Sequence, residues 1–427
     1  MNQNRSVIYI AIGVGAVIIA LVLIFTGILP GRKESLPEPV ALEFWGIRDE
    51  DDVWRDIIQN FQNENRPITI NYQRFDEATY EEILVNRIAE GRGPDIFMLK
   101  NEWIAKHRDK TVPLPKEFFN YSTVIFKNTF VDAAVSDLVT PEGDITGVPL
   151  FMDSLLLFYN KDMANAAAIA EVPRTWDDVL EQARRLTKVT SSGDIERSGF
   201  ALGRAQNVEH SFEILSALFL QQQGIAFDRQ TKRIALGDRA RDALAFYTSF
   251  ADPRSRNFSW TGRMPNSIDA FAEERVAMVI GFARDLKRLR AKNPHLAIGV
   301  AALPQLKDAR TPVTYGGYLF LAVSKLSPNA VRAWQFILAS TAPEEALRYA
   351  QNAALPPARR DIIALGAPQD EFDPSYRQTL FAKNWQVPDE RSVRGLFQES
   401  IESVSSGVAE PTQAINRLQQ RLQQLLP

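Results

Sequence analysis

The sequence predicts an α/β protein that begins with a parallel sheet, and two observations support this. Between residues 41 and 99, short apolar segments alternate with amphipathic ones in the order β-α-β-α-β. This alternation is typical of parallel strands joined by right-handed helical crossovers. The chain has 427 residues, 45% of them hydrophobic and 24% charged, which is enough for two or three domain-sized units.

Each element of this pattern has a local signal. The strands and helices are predicted at residues 41–46, 51–65, 68–74, 77–91 and 94–99. The two helical segments have apolar residues at helical spacing, whereas the second strand alternates with period two. Gly91 is the predicted C-cap of the second helix, since glycine adopts the left-handed conformation at little cost.

Three later segments also have clear signals. Thr175 is predicted to cap a helix, with Asp178 completing a capping box. Ser327 and Pro328 are predicted to begin another helix, as its cap and first residue. Residues 315–325 read as one strand opened by two glycines.

The first thirty residues differ from the rest. Residues 7–29 contain no charged side chain, and a helix of that length spans about 35 Å, enough for a hydrocarbon core of about 30 Å. We therefore predict an uncleaved transmembrane anchor at residues 1–30, with a proline-containing linker at 31–40. The alternative is a long signal peptide that is cleaved.

Composition excludes several classes of function. The net charge is −3, so no basic face for nucleic acid is expected. The absence of cysteine excludes disulfides and thiolate metal sites. The three histidines form no zinc motif, and phosphate-loop, dinucleotide and serine-hydrolase motifs are lacking. The sequence thus predicts no catalytic residue, no metal, no cofactor and no enzyme.

Six segments, in a fixed order, resemble one known family. They are LEFWG, EGRGPDIFML, GVPLFMDSLLLFYNKDM, PRTWDDVLEQARRLT, AFAEERVAMVIGF and YGGYLFLAVSKLSPNAVRAWQFILAST. The chain resembles extracellular solute-binding proteins of family 1, the sugar-binding receptor components of ABC importers. The resemblance extends over roughly residues 41–425.

The resemblance implies a two-lobed, periplasmic-binding-protein-like fold of type II with several hinge crossings. By position, lobe 1 would comprise residues 40–149 and 320–367, and lobe 2 residues 154–314 and 370–427. The crossings would fall near residues 150–153, 315–319 and 366–370. Glycines at two of these places suit a hinge, because hinges need residues that tolerate large changes of backbone angle.

The chain departs from the family pattern in two respects. It has no cysteine for a lipid anchor, so the hydrophobic N-terminus would take that role. Many sugar-binding relatives have a tryptophan two residues after the glycine of VIGF, where this chain has Ala283. The second departure argues against a large oligosaccharide.

Eight residues with flat or planar polar side chains are candidates for ligand binding, and all but Trp385, whose loop the pattern does not place, are predicted at strand ends or crossings. They are Trp45, Asn101, Trp103, Asp153, Arg284, Tyr315, Tyr318 and Trp385. Asp153 is the strongest, as a carboxylate at a predicted crossing that could accept ligand hydroxyls. Each has a structural alternative: core packing for the aromatic residues, a hinge cap or salt bridge for Asp153, and a solvated basic face for Arg284.

The predicted function is that of a substrate-binding receptor of an ABC importer. It would capture a small polar solute, with carbohydrate as the favoured class, by lobe closure, and would deliver it to permease subunits. The main domain would be extracellular or periplasmic, held at the cell membrane by the N-terminal helix. Two alternatives stay open: a membrane-tethered solute sensor, and a glycoside hydrolase, since 52 acidic residues leave room for a catalytic carboxylate pair.

Overall fold

The computed structural model describes residues 39–116, 118, 122–228, 233–367, 370–385 and 388–426. The predicted membrane anchor at residues 1–30 lies outside the described residues, as does most of the predicted linker. Within the described ranges, no helix combines the length and apolar character needed to span a bilayer.

The strands are numbered in chain order. They are β1 Val40–Ile47, β2 Ile68–Phe75, β3 Ile96–Lys100, β4 Thr111–Val112, β5 Val148–Pro149, β6 Asp153–Ser154, β7 Leu156–Asn160, β8 Lys188–Val189, β9 Ile195–Arg197, β10 Ile225–Asp228, β11 Arg233–Leu236, β12 Met278–Gly281, β13 Ile298–Ala302, β14 Thr314–Gly317, β15 Leu319–Ser324 and β16 Ala382–Lys383.

The helices are numbered in the same way. They are α1 Asp51–Glu64, α2 Glu77–Ala89, α3 Ile104–His107, α4 Thr123–Thr129, α5 Asp132–Leu138, α6 Lys161–Ala166, α7 Trp176–Leu186, α8 Ser211–Gln221, α9 Asp238–Thr248, α10 Ser267–Ala272, α11 Asp285–Lys292, α12 Ala330–Ser340, α13 Pro343–Ala353, α14 Arg360–Ile363, α15 Asp373–Thr379, α16 Glu390–Ser405 and α17 Pro411–Leu425.

The first lobe is built on a sheet in the order β2-β1-β3-β15-β4, with β5 also paired to β15. Strand β1 runs parallel to both β2 and β3, with Phe44 opposite Tyr72 and Ile96. The predicted β-α-β-α-β start is therefore confirmed. Strand β15 returns antiparallel to β3, with Leu319 opposite Lys100.

Two predicted helix signals are confirmed in detail. Helix α2 ends before Gly91, which has a φ of 72°, and the N–H of Arg92 donates to the carbonyl of Arg87 at 2.9 Å. This is the six-to-one bond of a Schellman ending. At the start of α7, Thr175 and Asp178 form the reciprocal bonds of a capping box.

Two other sequence predictions are wrong. Helix α12 begins at Ala330, with Asn329 as its N-cap, rather than at Pro328. The Ser327 side chain instead donates a hydrogen bond to Asp95. This bond keeps Ser327 in the turn that follows β15. The predicted strand at 315–325 is also broken at Tyr318, and its two halves, β14 and β15, belong to different sheets.

The second lobe has an antiparallel sheet in the order β12-β7-β13. Val279 and Val300 both pair with Phe158 on the central strand. Helices α8, α9, α16 and α17 pack around one another beside this sheet and share its hydrophobic core. The C-terminal part of the chain thus completes the second lobe.

Each lobe has its own hydrophobic core. The core of the first lobe includes Met152 and Tyr318, and the core of the second includes Leu155 and Tyr315. Between them, β14 pairs with β6 and with β16 in a small sheet. Three separate passages of the chain therefore run side by side where the two cores meet.

Candidate functional site

A cavity of about 250 Å³ lies between the two lobes. Its lining comes from the first lobe, from the second lobe and from the strands that join them. The lining residues are Arg48, Glu77, Lys100, Asn101, Glu102, His210, Glu213, Phe282, Arg284, Tyr315, Gly317, Tyr318, Glu390 and Arg394.

The first lobe contributes residues at the carboxyl ends of its parallel strands. Arg48 follows β1, Glu77 begins the helix after β2, and Lys100 is the last residue of β3. Parallel strands bring their carboxyl ends to one edge of the sheet, which is where open α/β sheets bind ligands. The strand order thus places these side chains together.

These three side chains form a connected ion-pair group. Arg48 donates to Glu77 through Nε at 2.6 Å and through Nη2 at 2.8 Å, and Lys100 Nζ lies 2.9 Å from Oε1 of the same carboxylate. Burial alone would raise the pKa of Glu77, but the bonds and charges of Arg48 and Lys100 outweigh it and hold that pKa well below its ordinary value. Glu77 is therefore ionised at neutral pH.

Arg394 of the second lobe binds three carboxylates. Its Nη2 donates to Glu213 at 2.7 Å and contacts Glu102 at 3.4 Å, while its Nε donates to Glu390 at 2.9 Å. Burial would raise the pKa of Glu213, but Arg394 and His210 hold it at about 2. The Arg394 guanidinium group also lies over the ring of Phe212, 4.7 Å from the centroid of that ring.

Several of these bonds cross from one lobe to the other. Trp103 Nε1 donates to Glu390 at 2.8 Å, and Lys100 Nζ lies 3.4 Å from the same carboxylate. The contact between Arg394 and Glu102 also joins the two lobes. Charge-assisted bonds of this kind hold two bodies in a defined orientation.

The comparison with known families agrees with this geometry. A match to the family described as bacterial extracellular solute-binding protein extends over residues 46–346, well over half of the chain. The chain belongs to this family. The solute-binding protein is thus a two-lobed α/β receptor with a cleft between its lobes.

Individual relatives of the solute-binding protein are distant in sequence. A binding protein of Brucella abortus is 22% identical over 364 residues, covering 84% of this chain and 86% of that protein. An ABC transporter solute-binding protein of Thermotoga lettingae, bound to α-D-tagatose, is 22% identical, with a TM-score of 0.71 over 91% of this chain and all of that one. The sugar-binding protein MalE of Xanthomonas citri is 19% identical, with a TM-score of 0.75 over 90% and 97% of the two chains.

Four of the eight candidates line the cleft of the solute-binding protein: Asn101, Arg284, Tyr315 and Tyr318. The Oδ1 atom of Asn101 accepts the backbone N–H of Tyr318 at 3.0 Å, and the Tyr318 hydroxyl donates to Asp137 at 3.0 Å. The Tyr315 hydroxyl, in contrast, is buried without a hydrogen-bond partner among the described residues. Tyr315 therefore presents a buried polar atom that is available to a ligand.

Asp153 lies behind the cleft wall and positions Arg284. It is fully buried and accepts the backbone N–H of Ala283 at 2.9 Å and the Arg284 guanidinium at 3.2 Å. Burial raises the pKa of Asp153, and Arg284 opposes that rise. Arg284 in turn lies over the ring of Phe282, 3.9 Å from its centroid.

The three tryptophan candidates have different surroundings. Trp45 is nearly buried and packs against Phe75. Trp385 donates to Ser216 at 3.3 Å inside the second core. Trp103 lies at the edge of the cleft and lines an adjoining cavity of about 560 Å³. The binding role predicted for these residues stays a prediction.

Two residues of the cleft have strained backbones. Arg48 and His210 have φ values of 69° and 60°, in the left-handed region that costs a non-glycine residue of order 1–3 kcal/mol. His210 is further held by Asp285, whose Oδ2 lies 2.8 Å from its Nε2. Such strain at a cleft is typical of residues whose side chains must point in a required direction.

Sequence reasoning missed the charged residues of the cleft. For Arg48 a signal existed, because it directly follows a predicted strand, as Asn101 does. Arg394 lies on an amphipathic helix, where charged residues most often face solvent. Glu213 lies on α8, whose residues 212–219 are all buried, so a single carboxylate in this apolar run was a signal. Only the meeting of the two lobes shows that they line a cleft.

Proposed function

We propose that this solute-binding protein is the receptor of an ABC importer and captures a small carbohydrate by closing its two lobes. The proposal rests on one observation, the cleft lined by residues of both lobes. A solute that contacts both walls binds the closed form better than the open one, and only such a difference in affinity can drive closure. The closed form would then dock on the permease and deliver the solute.

The chemistry of the lining supports a carbohydrate. Planar carboxylate and guanidinium groups bind pairs of neighbouring hydroxyls with two bonds each. The relative from Thermotoga lettingae is named as bound to tagatose. Ring faces are scarce in this cleft, because Arg284 covers Phe282 and Tyr318 is buried. Together with the small volume, this favours a short sugar over a long oligosaccharide.

We further propose hinge crossings at residues 150–153, 315–319 and 366–370, with the lobe boundaries that follow from them. The small sheet of β6, β14 and β16 supports this assignment, since two of its strands adjoin the first two crossings. A type II fold with these crossings would let the lobes rotate while each core stays intact.

We also propose that residues 1–30 anchor the protein in the cell membrane, with the two lobes outside. The support is the uncharged run at residues 7–29. N-terminal sequencing of the membrane-bound protein tests this proposal. An intact N-terminus is expected, whereas a mature chain that starts near residue 30 would mean a cleaved signal peptide.

The same proposal includes that the protein binds a sugar without hydrolysing it. Glu77, Glu213 and Glu390 each form an ion pair with a lysine or an arginine, which makes them poor proton donors. We expect no hydrolysis of aryl glycosides above the buffer rate. Turnover that disappears in Glu213→Gln would instead favour the glycoside hydrolase.

Spin-label distance measurements test lobe closure directly. The chain has no cysteine, so Glu82→Cys and Arg391→Cys can be labelled selectively on opposite sides of the cleft edge. In the full-length protein in lipid nanodiscs, a sugar that binds should shorten and narrow the distance distribution. An unchanged distribution for every sugar of a broad panel would overturn the proposal.

A further inference from the structure

Carboxyl groups outnumber the permanent cations around the cleft. The lining has four permanent cations and four carboxyl groups: Arg48, Lys100, Arg284, Arg394, Glu77, Glu102, Glu213 and Glu390. Two further carboxyl groups lie directly behind this lining, because Asp153 binds Arg284 and Asp285 binds His210. Six carboxyl groups therefore lie in or directly behind the lining, against four permanent cations.

The excess is greatest around Arg394. This single guanidinium contacts Glu102, Glu213 and Glu390. The nearest other cation is Lys100, which contacts Glu390 but also Glu77. Within the described part of the chain, Glu102 and Glu213 thus have the same guanidinium as their direct ion-pair partner. Burial raises the pKa of Glu102 despite the opposing charge of Arg394, as expected for a carboxyl group without a full counter-charge.

Two buried polar atoms next to this group have no hydrogen-bond partner within the described part of the chain. They are Oε2 of Glu213 and the hydroxyl of Tyr315, and the residues are 3% and 0% exposed. Both residues line the cavity. The Tyr315 ring lies 6.0 Å from the ring of Phe212, and the Arg394 guanidinium that binds Glu213 lies over the same Phe212 ring, so Tyr315 lies beside this group.

A buried polar atom without a hydrogen-bond partner destabilises the folded protein. A ligand group that bonds to both atoms would remove that cost. It has to donate hydrogen bonds, because a carboxylate oxygen can only accept them. A positive charge on this group would strengthen its bonds, because Glu102 and Glu213 share Arg394 as their direct ion-pair partner. A protonated amine provides both the donors and the charge.

We propose that the solute is a carbohydrate with a protonated amine, whose ammonium group binds between Glu213 and Tyr315. This inference rests on the proposed function and adds the chemical class of the sugar. The ammonium group donates to Oε2 of Glu213 and to the Tyr315 oxygen, and it places a second positive charge beside the carboxyl groups that share Arg394. A neutral sugar offers hydroxyl donors there but no charge, and an N-acetyl group offers neither the charge nor the compact shape.

Isothermal titration calorimetry on the full-length protein in nanodiscs tests the proposal. The probes are glucosamine, galactosamine and mannosamine, each with its neutral hexose and its N-acetyl derivative, at pH 7. We expect at least one amine to bind about tenfold or more tighter than both of its neutral counterparts. Neutral hexoses that bind as tightly as the amines would overturn the ammonium site but leave the proposed function standing.

Two variants test whether Glu213 and Tyr315 cause the preference for the amine. Glu213→Gln should remove most of the preference for the amine, whereas Glu399→Gln, an exposed partner of Arg421 on the same lobe, should keep it. Tyr315→Phe should weaken amine binding several-fold without lowering the melting temperature, since its hydroxyl has no partner to lose. Because Tyr315→Phe leaves the ion pairs intact, it carries the test if Glu213→Gln does not fold.

The outcomes separate the two proposals. An amine preference that survives in both Glu213→Gln and Tyr315→Phe would overturn the ammonium site. Binding of no sugar, aminated or neutral, together with an unchanged spin-label distance, would overturn the proposed function and this inference with it.

Discussion

The indole nitrogen of Trp103 donates a hydrogen bond of 2.8 Å to Oε2 of Glu390. Trp103 belongs to the first core, and Glu390 begins the helix that completes the second. The same carboxylate contacts Lys100 and Arg394. Glu390 therefore joins Trp103 and Lys100 of the first lobe to Arg394 of the second. Removal of its carboxylate should loosen the closed form.

Glu390→Ala should shift the lobes toward an open form. It removes the bond from Trp103 and the ion pair with Lys100, which are the contacts of Glu390 across the gap. We expect the distance between labels at positions 82 and 391 to lengthen and solute affinity to fall about threefold to tenfold. Glu399→Ala, on the same helix but outside the cleft, is the matched control. An unchanged distance in Glu390→Ala would show that other contacts hold the lobes together.

Arg394→Met should destabilise the second lobe, because it leaves Glu213 buried without its cation. Breaking a buried pair costs about 3–5 kcal/mol, and we expect about 2–3 kcal/mol here because the Arg394 side chain is partly accessible. Denaturant unfolding at pH 7 measures this loss.

The pH dependence provides an independent check on Arg394. In the wild type, the pKa of Glu213 falls from 4.5 to about 2 on folding. This shift stabilises the fold above pH 4.5, and the stabilisation is lost as the pH falls through 2. The variant should lack that acid-dependent loss, since burial alone raises the pKa. A parallel pH profile in wild type and variant would contradict the assignment.

The substitution Asp49→Asn should stabilise the folded protein, relative to wild type, by an amount that grows as the pH rises. Burial raises the pKa of Asp49 from 3.8 to about 6, against the bonds donated by Tyr349 and Trp54. A raised pKa means that the folded protein binds the proton more tightly, so wild-type stability is lost as pH rises from 3.8 through 6. The unfolding free energy of the variant, relative to wild type, should therefore grow by roughly 2–3 kcal/mol between pH 4 and pH 8. A difference that does not change with pH would refute the proposed cause.

Asp153→Ala should lower both stability and solute affinity. The substitution leaves the backbone N–H of Ala283 unpaired and frees the Arg284 guanidinium, at a cost of about 2–4 kcal/mol. Affinity should fall about tenfold, because Arg284 no longer has a defined position. Arg284→Lys is the matched comparison: it keeps a positive charge beside the buried Asp153 but loses the guanidinium, so it should lower affinity with a much smaller loss of melting temperature. Normal affinity in both variants would remove this pair from the binding site.

The sequence by itself determined the first three strands of the first lobe, the two helices between them and their order. Period-two alternation and helical spacing are local properties, so β1 to β3 and their two helices could be read from the chain. Gly91 and Thr175 could be assigned for the same reason, since a helix ending or cap depends on a few neighbouring residues. The turn at Ser327 could not, because it depends on a bond to Asp95, which is distant in the sequence.

The ion-pair network of the cleft was decided only by the tertiary structure. Trp103 and Glu390 are 287 positions apart, and no local pattern indicates that they meet. Periodicity shows which face of a helix is apolar. It does not show whether the polar face meets solvent or charged residues of the other lobe. Arg394 therefore looks like an ordinary solvated residue in the sequence, whereas Glu213 is conspicuous only as a single carboxylate in an apolar helix. Both became cleft residues because two separately packed cores meet at this place.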